Sequence, residues 1–249
     1  MFKPTPVPEL SIVVPCHNEA KGIERWVREW TSVLDTSLSS FEIIVINDGS
    51  TDGSGRILDK LRREISGLRL IHQLRVGHGR SLRRGYELSR GKFILQVDSS
   101  GRYEPLDFLR MWDIRLAHTL VLGYRTHRLD SLVKQTYSRS LSLMFRTLWK
   151  VAIRDPDIPF RLFSASDILP VLRTLPATFE STNLAVTAIS IIHDPKDVQE
   201  IPIPYRPRPS SATSKSVSNR ATFGARQMFD LFWLWSNLKV PSGLPVFQN

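Results

Sequence analysis

Apolar residues along this chain gather in short runs, separated by stretches with helical spacing. Residues 10–15, LSIVVP, form an unbroken apolar run closed by proline, which predicts a buried strand. Residues 19–35 then place Ile23, Trp26, Val27, Trp30, Val33 and Leu34 on one helical face. FEIIVIND (41–48) reads as a second strand, and the turn GSTDGS after it offers Ser50, Thr51 or Asp52 to cap the helix RILDKLRREI. LRLIHQL is a third strand, GRSLRRGYELSRG a short helix, and KFILQVD (92–98) a fourth strand. Strand and helix alternate at the spacing of βαβ units, which implies an α/β fold with a mostly parallel central sheet and helices on both faces. In such sheets ligands sit outside the carboxyl ends of the strands. Pro15–Glu19, Asn47–Gly49 and Asp98–Arg102 all fall there.

The regularity fades after residue 105. PLDFLRMWDIRLA predicts a helix, TLVLGYR (119–125) a strand, and residues 131–153 a long basic amphipathic helix. STNLAVTAISII (181–192) is apolar enough for a buried helix, and VQEIPIPY (198–205) suits an edge strand because proline cannot donate to a ladder. RPRPSSATSKSVSNR (206–220) is a basic loop, and 223–240 an aromatic amphipathic tail. The expected organisation is one domain over 1–220, with a nucleotide-binding half near 8–105 and an acceptor half over 106–220. A tail helix over 221–249 follows.

Charge and composition narrow the partners. The 34 Lys and Arg residues exceed the 24 Asp and Glu residues by ten, which favours an anionic partner: nucleic acid, an acidic membrane surface or a phosphorylated molecule. No nucleic-acid module is recognisable, so nucleic acid is not expected. The single cysteine, Cys16, excludes an internal disulfide and fits a reducing compartment. No run approaches the ~18–20 apolar residues of a membrane span, and the start MFKPTPVPEL carries no secretory signal. A cytoplasmic protein, with at most peripheral contact to an anionic membrane, is expected.

The segments IVVPCHNEAKGI, EIIVINDGSTDGS, GHGRSLRRGYELSRGKFILQVDSSGRYEP, VLGYR, PFRLF and EIPIPYRPR…SK stand in a fixed order. Together they resemble the family 2 glycosyltransferases of GT-A fold, most closely the dolichyl- or polyprenyl-phosphate mannose and glucose synthases, over residues 10–220. No GxGxxG turn follows the first strand, so a dinucleotide-binding reading has no comparable support. The resemblance implies transfer of a sugar, with inversion, from a nucleoside diphosphate sugar to a polyprenyl-phosphate lipid. That acceptor phosphate is already ionised, so alignment and neutralisation of the leaving diphosphate matter more than a strong base.

The resemblance also assigns residues. Pro15, His17 and Glu19 border the nucleotide base and ribose, Glu19 alternatively charging a helix N-terminus. Asp48 takes the second place of the family's acidic pair and would bind base or ribose; the alternative is a turn former. Asp52 is expected to be a helix cap. Asp98 belongs to the donor site, and is the candidate ligand for a divalent ion (Mg2+ or Mn2+). Ser100 stands where the family has a second acid, and Arg102 where relatives often carry Gln, so metal-independent catalysis is expected, with retained metal use as the alternative. Arg125 matches a family cation near the donor, the alternative being a surface arginine; Arg161, a catalytic candidate, sits in an apolar context that favours a paired, oriented arginine. Arg139 is a candidate for the acceptor phosphate or part of a solvated helix face. Arg208 and Lys215 fall in the loop that closes over the phosphates in relatives. In the tail, Met228, Phe229, Phe232, Trp233 and Trp235 form an apolar surface for lipid, a dimer or the core.

Two further readings stand beside the lipid acceptor: the same fold acting on a soluble or glycan acceptor, and a non-catalytic nucleotide-sugar-binding protein. Retention of Arg125, Arg161 and the basic loop argues against the non-catalytic reading.

Overall fold

The computed structural model describes residues 7–126, 132–204 and 217–238. Four strands in sequence order, β1 (Leu10–Cys16), β2 (Phe41–Asp48), β3 (Leu68–Gln73) and β4 (Phe93–Val97), alternate with helices α1 (Ile23–Ser37), α2 (Ser54–Glu64) and α3 (His78–Leu88). The second half carries α4 (Pro105–Asp113), β5 (Leu120–Arg125), α5 (Leu132–Leu148), β6 (Phe160–Ser164), α6 (Ala165–Leu172), α7 (Thr182–His193), β7 (Val198–Ile203) and α8 (Val217–Asn237).

One sheet holds all seven strands in the order β3-β2-β1-β4-β6-β5-β7. β1 to β4 run parallel, as the alternation predicts, and their apolar runs are buried along both faces at β1 and β2. β6, not foreseen from the sequence, enters antiparallel between β4 and β5. β5 therefore points the same way as β4, and β7 joins it in parallel at the sheet edge. The carboxyl ends of every strand except β6 lie along one edge.

Helix packing follows the apolar stripes. α1 buries Ile23, Trp26, Val27, Trp30 and Leu34, and Trp26 stacks on Trp30 with ring centroids 5.2 Å apart. Trp30 continues the column to Phe108 of α4 and Phe160 of β6. α3 lies so close to β1 that a Cβ on Gly85 would sit 2.3 Å from Val13 Cγ1. Glycine alone fits that approach.

α8 begins at Val217 and packs on α7 and α5, with Leu231 and Leu234 fully buried. Met228 and Trp233 are partly buried against the core, Trp233 lying 6.0 Å from Phe179; only Phe229, Phe232 and Trp235 of the expected apolar surface stand exposed. One buried and one partly buried polar contact hold the helix: Ser181 Oγ donates to Asp230 Oδ2 at 2.6 Å, and Gln227 Nε2 to Asp157 Oδ2 at 3.3 Å. Burial pushes the Asp230 carboxyl above its ordinary range despite Ser181 and Arg226. A raised carboxyl pKa favours the fold only while protonated, so this contribution is full at low pH and is lost as pH rises through the folded value. Asp230→Asn, which keeps an acceptor for Ser181, is expected to melt no lower than wild type at pH 8. The gap should close as pH falls toward about 4, as followed by thermal denaturation.

Candidate active site at the carboxyl edge of the sheet

The first two strand ends are joined by hydrogen bonds between their loops. Asn18, at φ +56°, accepts from Thr51 N through Oδ1 and donates its own N–H to Ser50 Oγ. Glu19 N donates to Ser54 Oγ, and Ala20 N to Asp52 Oδ2. Asp52 Oδ1 also accepts from Ser54 N, the first residue of α2, but the N-cap position is taken by Gly53 at φ +93°, so Asp52 braces the turn from one residue before the cap instead of being the cap expected from the sequence. Pro15 is the penultimate residue of β1, and its carbonyl accepts from Ser99 Oγ at 3.1 Å, tying the first strand end to the turn after β4. Burial, with Glu19 and Asp52 nearby, pushes the Cys16 thiol up to about 12, so it is not a thiolate nucleophile at neutral pH.

His17 is held at both ring nitrogens. Arg75 donates to Nε2 at 2.6 Å, which leaves Nδ1 to donate to the Asp48 carbonyl at 2.8 Å. Arg75 was not singled out in the sequence; it lies in the turn after β3, where no pattern marks a side chain that folds back across β2.

Asp48 departs from its expected role. Its carboxylate is buried and turned onto the β3–α3 turn, where Oδ1 accepts from Val76 N at 2.8 Å and Gln73 Nε2 at 2.9 Å, and Oδ2 from Gly77 N at 3.0 Å. Two adjacent backbone N–H groups without strand partners draw the carboxylate inward. Burial alone would raise its pKa, but the Val76, Gln73 and Gly77 donors outweigh this and hold it below the ordinary value. The stability it contributes is present above the unfolded value of about 3.9 and is lost as pH falls through the lower folded one. Asp48→Asn is expected to destabilise the protein by about 1–3 kcal/mol at pH 7, and the difference should shrink below pH ~4; urea titrations at both pH values check it.

Asp98 follows β4 directly and is partly buried. Ser100 Oγ is buried without a hydrogen-bond partner, and Gly101 takes φ +68° to turn the chain toward Arg102. Tyr103 then stacks on Phe160 at 4.9 Å and 5°, pinning the turn onto the core before Pro105 opens α4. Among the described residues no group of three His, Cys, Asp or Glu side chains is placed to hold an ion. The protein's own donor set around Asp98 is one carboxylate and one neutral hydroxyl, with a guanidinium two residues further on. That set does not fit a metal site built by the protein.

Arg125 ends β5, and its Nε donates to Asp155 Oδ2 at 2.9 Å; Ser138 Oγ of α5 donates to Asp155 Oδ1 at 3.3 Å. Asp155 is 2% exposed. It lies in the DPD turn before β6 and was missed in the sequence, because its partner arrives from a strand thirty residues earlier. In the ladder Gln96 faces Arg161 and Arg161 faces Leu122, so Asp98 and Arg125 rise from the same edge two strand spacings, about 10 Å, apart.

Arg161 does not reach that edge. It is fully buried, and its guanidinium donates to the carbonyls of Ile158, Pro156 and Asn183 and to Thr187 Oγ1. The paired, oriented arginine that its apolar context suggested is what the fold contains, but its place among the catalytic candidates is corrected: its five donors are engaged within the fold, where they bind the loop before β6 to α7. Arg139 lies exposed on α5. Arg208 and Lys215 lie outside the described residues.

Comparison with known proteins places this arrangement. The family model described as glycosyl transferase family 2 matches residues 11–162. A dolichyl-phosphate beta-glucosyltransferase of Dictyostelium discoideum is 29% identical over 186 residues, covering 67% of this chain and 57% of that protein. An undecaprenyl-phosphate 4-deoxy-4-formamido-L-arabinose transferase of Pseudomonas fluorescens (strain SBW25) is 27% identical over 165 residues, covering 65% and 48%. The chain spans about half the length of these curated relatives. A solved structure, glucosyl-3-phosphoglycerate synthase from Mycobacterium tuberculosis in complex with Mn2+, UDP-glucose and phosphoglyceric acid, shares the fold with a TM-score of 0.68 at 19% identity. It is matched over 96% of this chain and 84% of its own.

Proposed function

We propose that this chain, which belongs to glycosyl transferase family 2, moves a hexose with inversion from a nucleoside diphosphate sugar to a polyprenyl-phosphate lipid. The observation that carries the reading is the rise of Asp98 and Arg125 from one sheet edge, about 10 Å apart, beside the linked strand ends at Pro15, His17 and Asp48. Nucleotide binding at the carboxyl edge of a parallel sheet is the general expectation. The relatives named for dolichyl- and undecaprenyl-phosphate transfer support the lipid acceptor.

In this reading His17 and Arg75 face the base. Asp48 acts indirectly, by shaping the turn that carries Arg75 and the N-terminus of α3. Arg125, oriented by Asp155, stands with Arg102 to neutralise the leaving diphosphate, and Arg208 and Lys215 are proposed to add to them. Asp98 orients the donor at the end of β4. The acceptor phosphate oxygen attacks the anomeric carbon while the bond to the diphosphate breaks, and no proton has to be removed from an ionised acceptor. The chain would work at the cytoplasmic face of a membrane; among the described residues no helix is long and apolar enough to cross one.

Arg161 no longer argues against a non-catalytic reading, because it has a structural reason to be kept. Arg125 still does: its guanidinium is held at the ligand edge by a buried acid. Incubation with a panel of nucleotide sugars, with polyprenyl phosphate, with a small phosphorylated acceptor or with neither, tests the assignment through nucleoside diphosphate release. Release dependent on polyprenyl phosphate is expected. Release only with the small acceptor would replace the lipid reading, and binding without release under any condition would replace the catalytic one.

A further inference from the structure

β5 ends in Tyr124 and Arg125, whose side chains leave opposite faces of the sheet. Both are gripped by two consecutive residues, Arg154 and Asp155, which precede β6. The Arg154 guanidinium carbon stands 4.2 Å from the centre of the Tyr124 ring, and Arg125 Nε donates to Asp155 Oδ2 at 2.9 Å. A cation over an aromatic face and a charge-assisted hydrogen bond thus hold one strand end from its two sides.

The gripping pair is itself fixed by two other elements. On α5, Ser138 and Ser142 stand one turn apart. Ser138 Oγ donates to Asp155 Oδ1 at 3.3 Å, and Ser142 Oγ to the Arg154 carbonyl at 2.9 Å. On β7, Glu200 Oε1 accepts from Arg154 N at 2.9 Å. Glu200 lies opposite Leu122, three residues before Arg125 in β5, so its backbone sits about 10 Å below the strand end. The two members of the ion pair differ in exposure: 17% of the Arg125 side chain is open, against 2% for Asp155. The pair therefore meets the ligand edge through its arginine, with the carboxylate closed off behind it. A buried ion pair adds little to stability compared with apolar packing of the same volume. What it supplies is a charged guanidinium of fixed direction, which suits an anion arriving at the edge.

We infer that Asp155 and Glu200 are positioning residues for Arg125. Asp155 sets the direction of the guanidinium toward the leaving diphosphate, and Glu200 keeps Asp155 in place by holding the Arg154 N–H. Neither acid touches the donor. The inference rests on the reading above in which Arg125 meets the diphosphate, and it adds that this contact is determined from the edge strand β7.

The test measures binding of UDP, GDP, CDP and ADP to the full chain by calorimetry, without acceptor, for wild type, Arg125→Met, Asp155→Asn and the double variant. With the diphosphate that binds wild type, each single change is expected to weaken binding about tenfold. The double variant should bind within about twofold of Arg125→Met, because Asp155 acts only through Arg125; a general structural defect would weaken both backgrounds alike. Glu200→Ala should cost about threefold with Arg125 present and nothing without it, and it supplies the cycle if Asp155→Asn does not fold. Equal losses in both backgrounds, compounding to about a hundredfold in the double variant, would overturn the inference. So would unchanged binding in Asp155→Asn and Glu200→Ala. Both results leave the donor reading intact, provided that Arg125→Met binds weakly. Tight binding by Arg125→Met, or no binding of any nucleoside diphosphate by wild type, would overturn the donor role of Arg125 together with the inference.

Discussion

Replacing Arg161 with methionine is expected to cost on the order of 3–5 kcal/mol of folding stability, a large part of the ~5–15 kcal/mol that holds a typical domain together. The guanidinium is 0% exposed and bridges the carbonyls of Pro156 and Ile158, before β6, to Asn183 of α7. Methionine matches the volume and fills no acceptor. Three carbonyls would lose a charged donor, and the half-buried Asp157 would lose the cation that opposes the upward push of burial on its carboxyl. Lysine restores the charge as a single point and cannot fork across carbonyls on two segments, so Arg161→Lys should fall between the two. Urea denaturation gives the stabilities. Donor turnover of folded Arg161→Lys, measured at low temperature, separates structure from catalysis. Near wild-type turnover in a weakened protein is the expected result, whereas wild-type stability with turnover lost would return Arg161 to the chemistry.

Arg161 also marks where the sequence stops being legible. The first four strands could be placed nearly to the residue, because each is a local apolar run bounded by turn residues and the helices between them carry their own period. Strand ends at Pro15, Asp48 and Asp98 followed from that, and so did the edge on which a ligand would bind. β6 could not be placed in the same way. Its five residues include an arginine, and its antiparallel position between β4 and β5 depends on two strands that both lie more than thirty residues earlier in the chain. The direction of the Arg161 side chain is set by the first turn of α7, which the strand's own pattern does not encode. Asp48 was misread for a related reason: a carboxylate at a strand end looks the same in sequence whether it faces a ligand or the backbone of the next turn. The tail helix showed its apolar residues but not their division, since Leu231 and Leu234 face the protein while Phe229, Phe232 and Trp235 do not.

Wild-type donor turnover is expected to survive exhaustive chelation within about threefold, although the fold is shared with an enzyme solved in complex with Mn2+. The donor set is the reason. A divalent ion takes several hard oxygens, with carboxylates offsetting its charge. Around the end of β4 the protein offers Asp98 and the unpartnered hydroxyl of Ser100, and it places Arg102 next in line behind the left-handed turn at Gly101. A guanidinium held ~5 Å from a divalent ion would cost about 7 kcal/mol at an effective dielectric near 20. Directed at the donor diphosphate, the same group supplies a positive charge and paired hydrogen bonds. Arg125, fixed by Asp155, supplies a second charge from the other side of β6. The double variant Ser100→Asp with Arg102→Gln reverses both departures from the family pattern. It should bind Mn2+ more tightly than wild type by calorimetry, and its turnover should fall in chelator and return with added Mn2+. Abolition of wild-type turnover by chelator with full recovery on adding Mn2+ would show the opposite, that the donor phosphates complete an ion's shell around Asp98 and that Arg102 turns away from it.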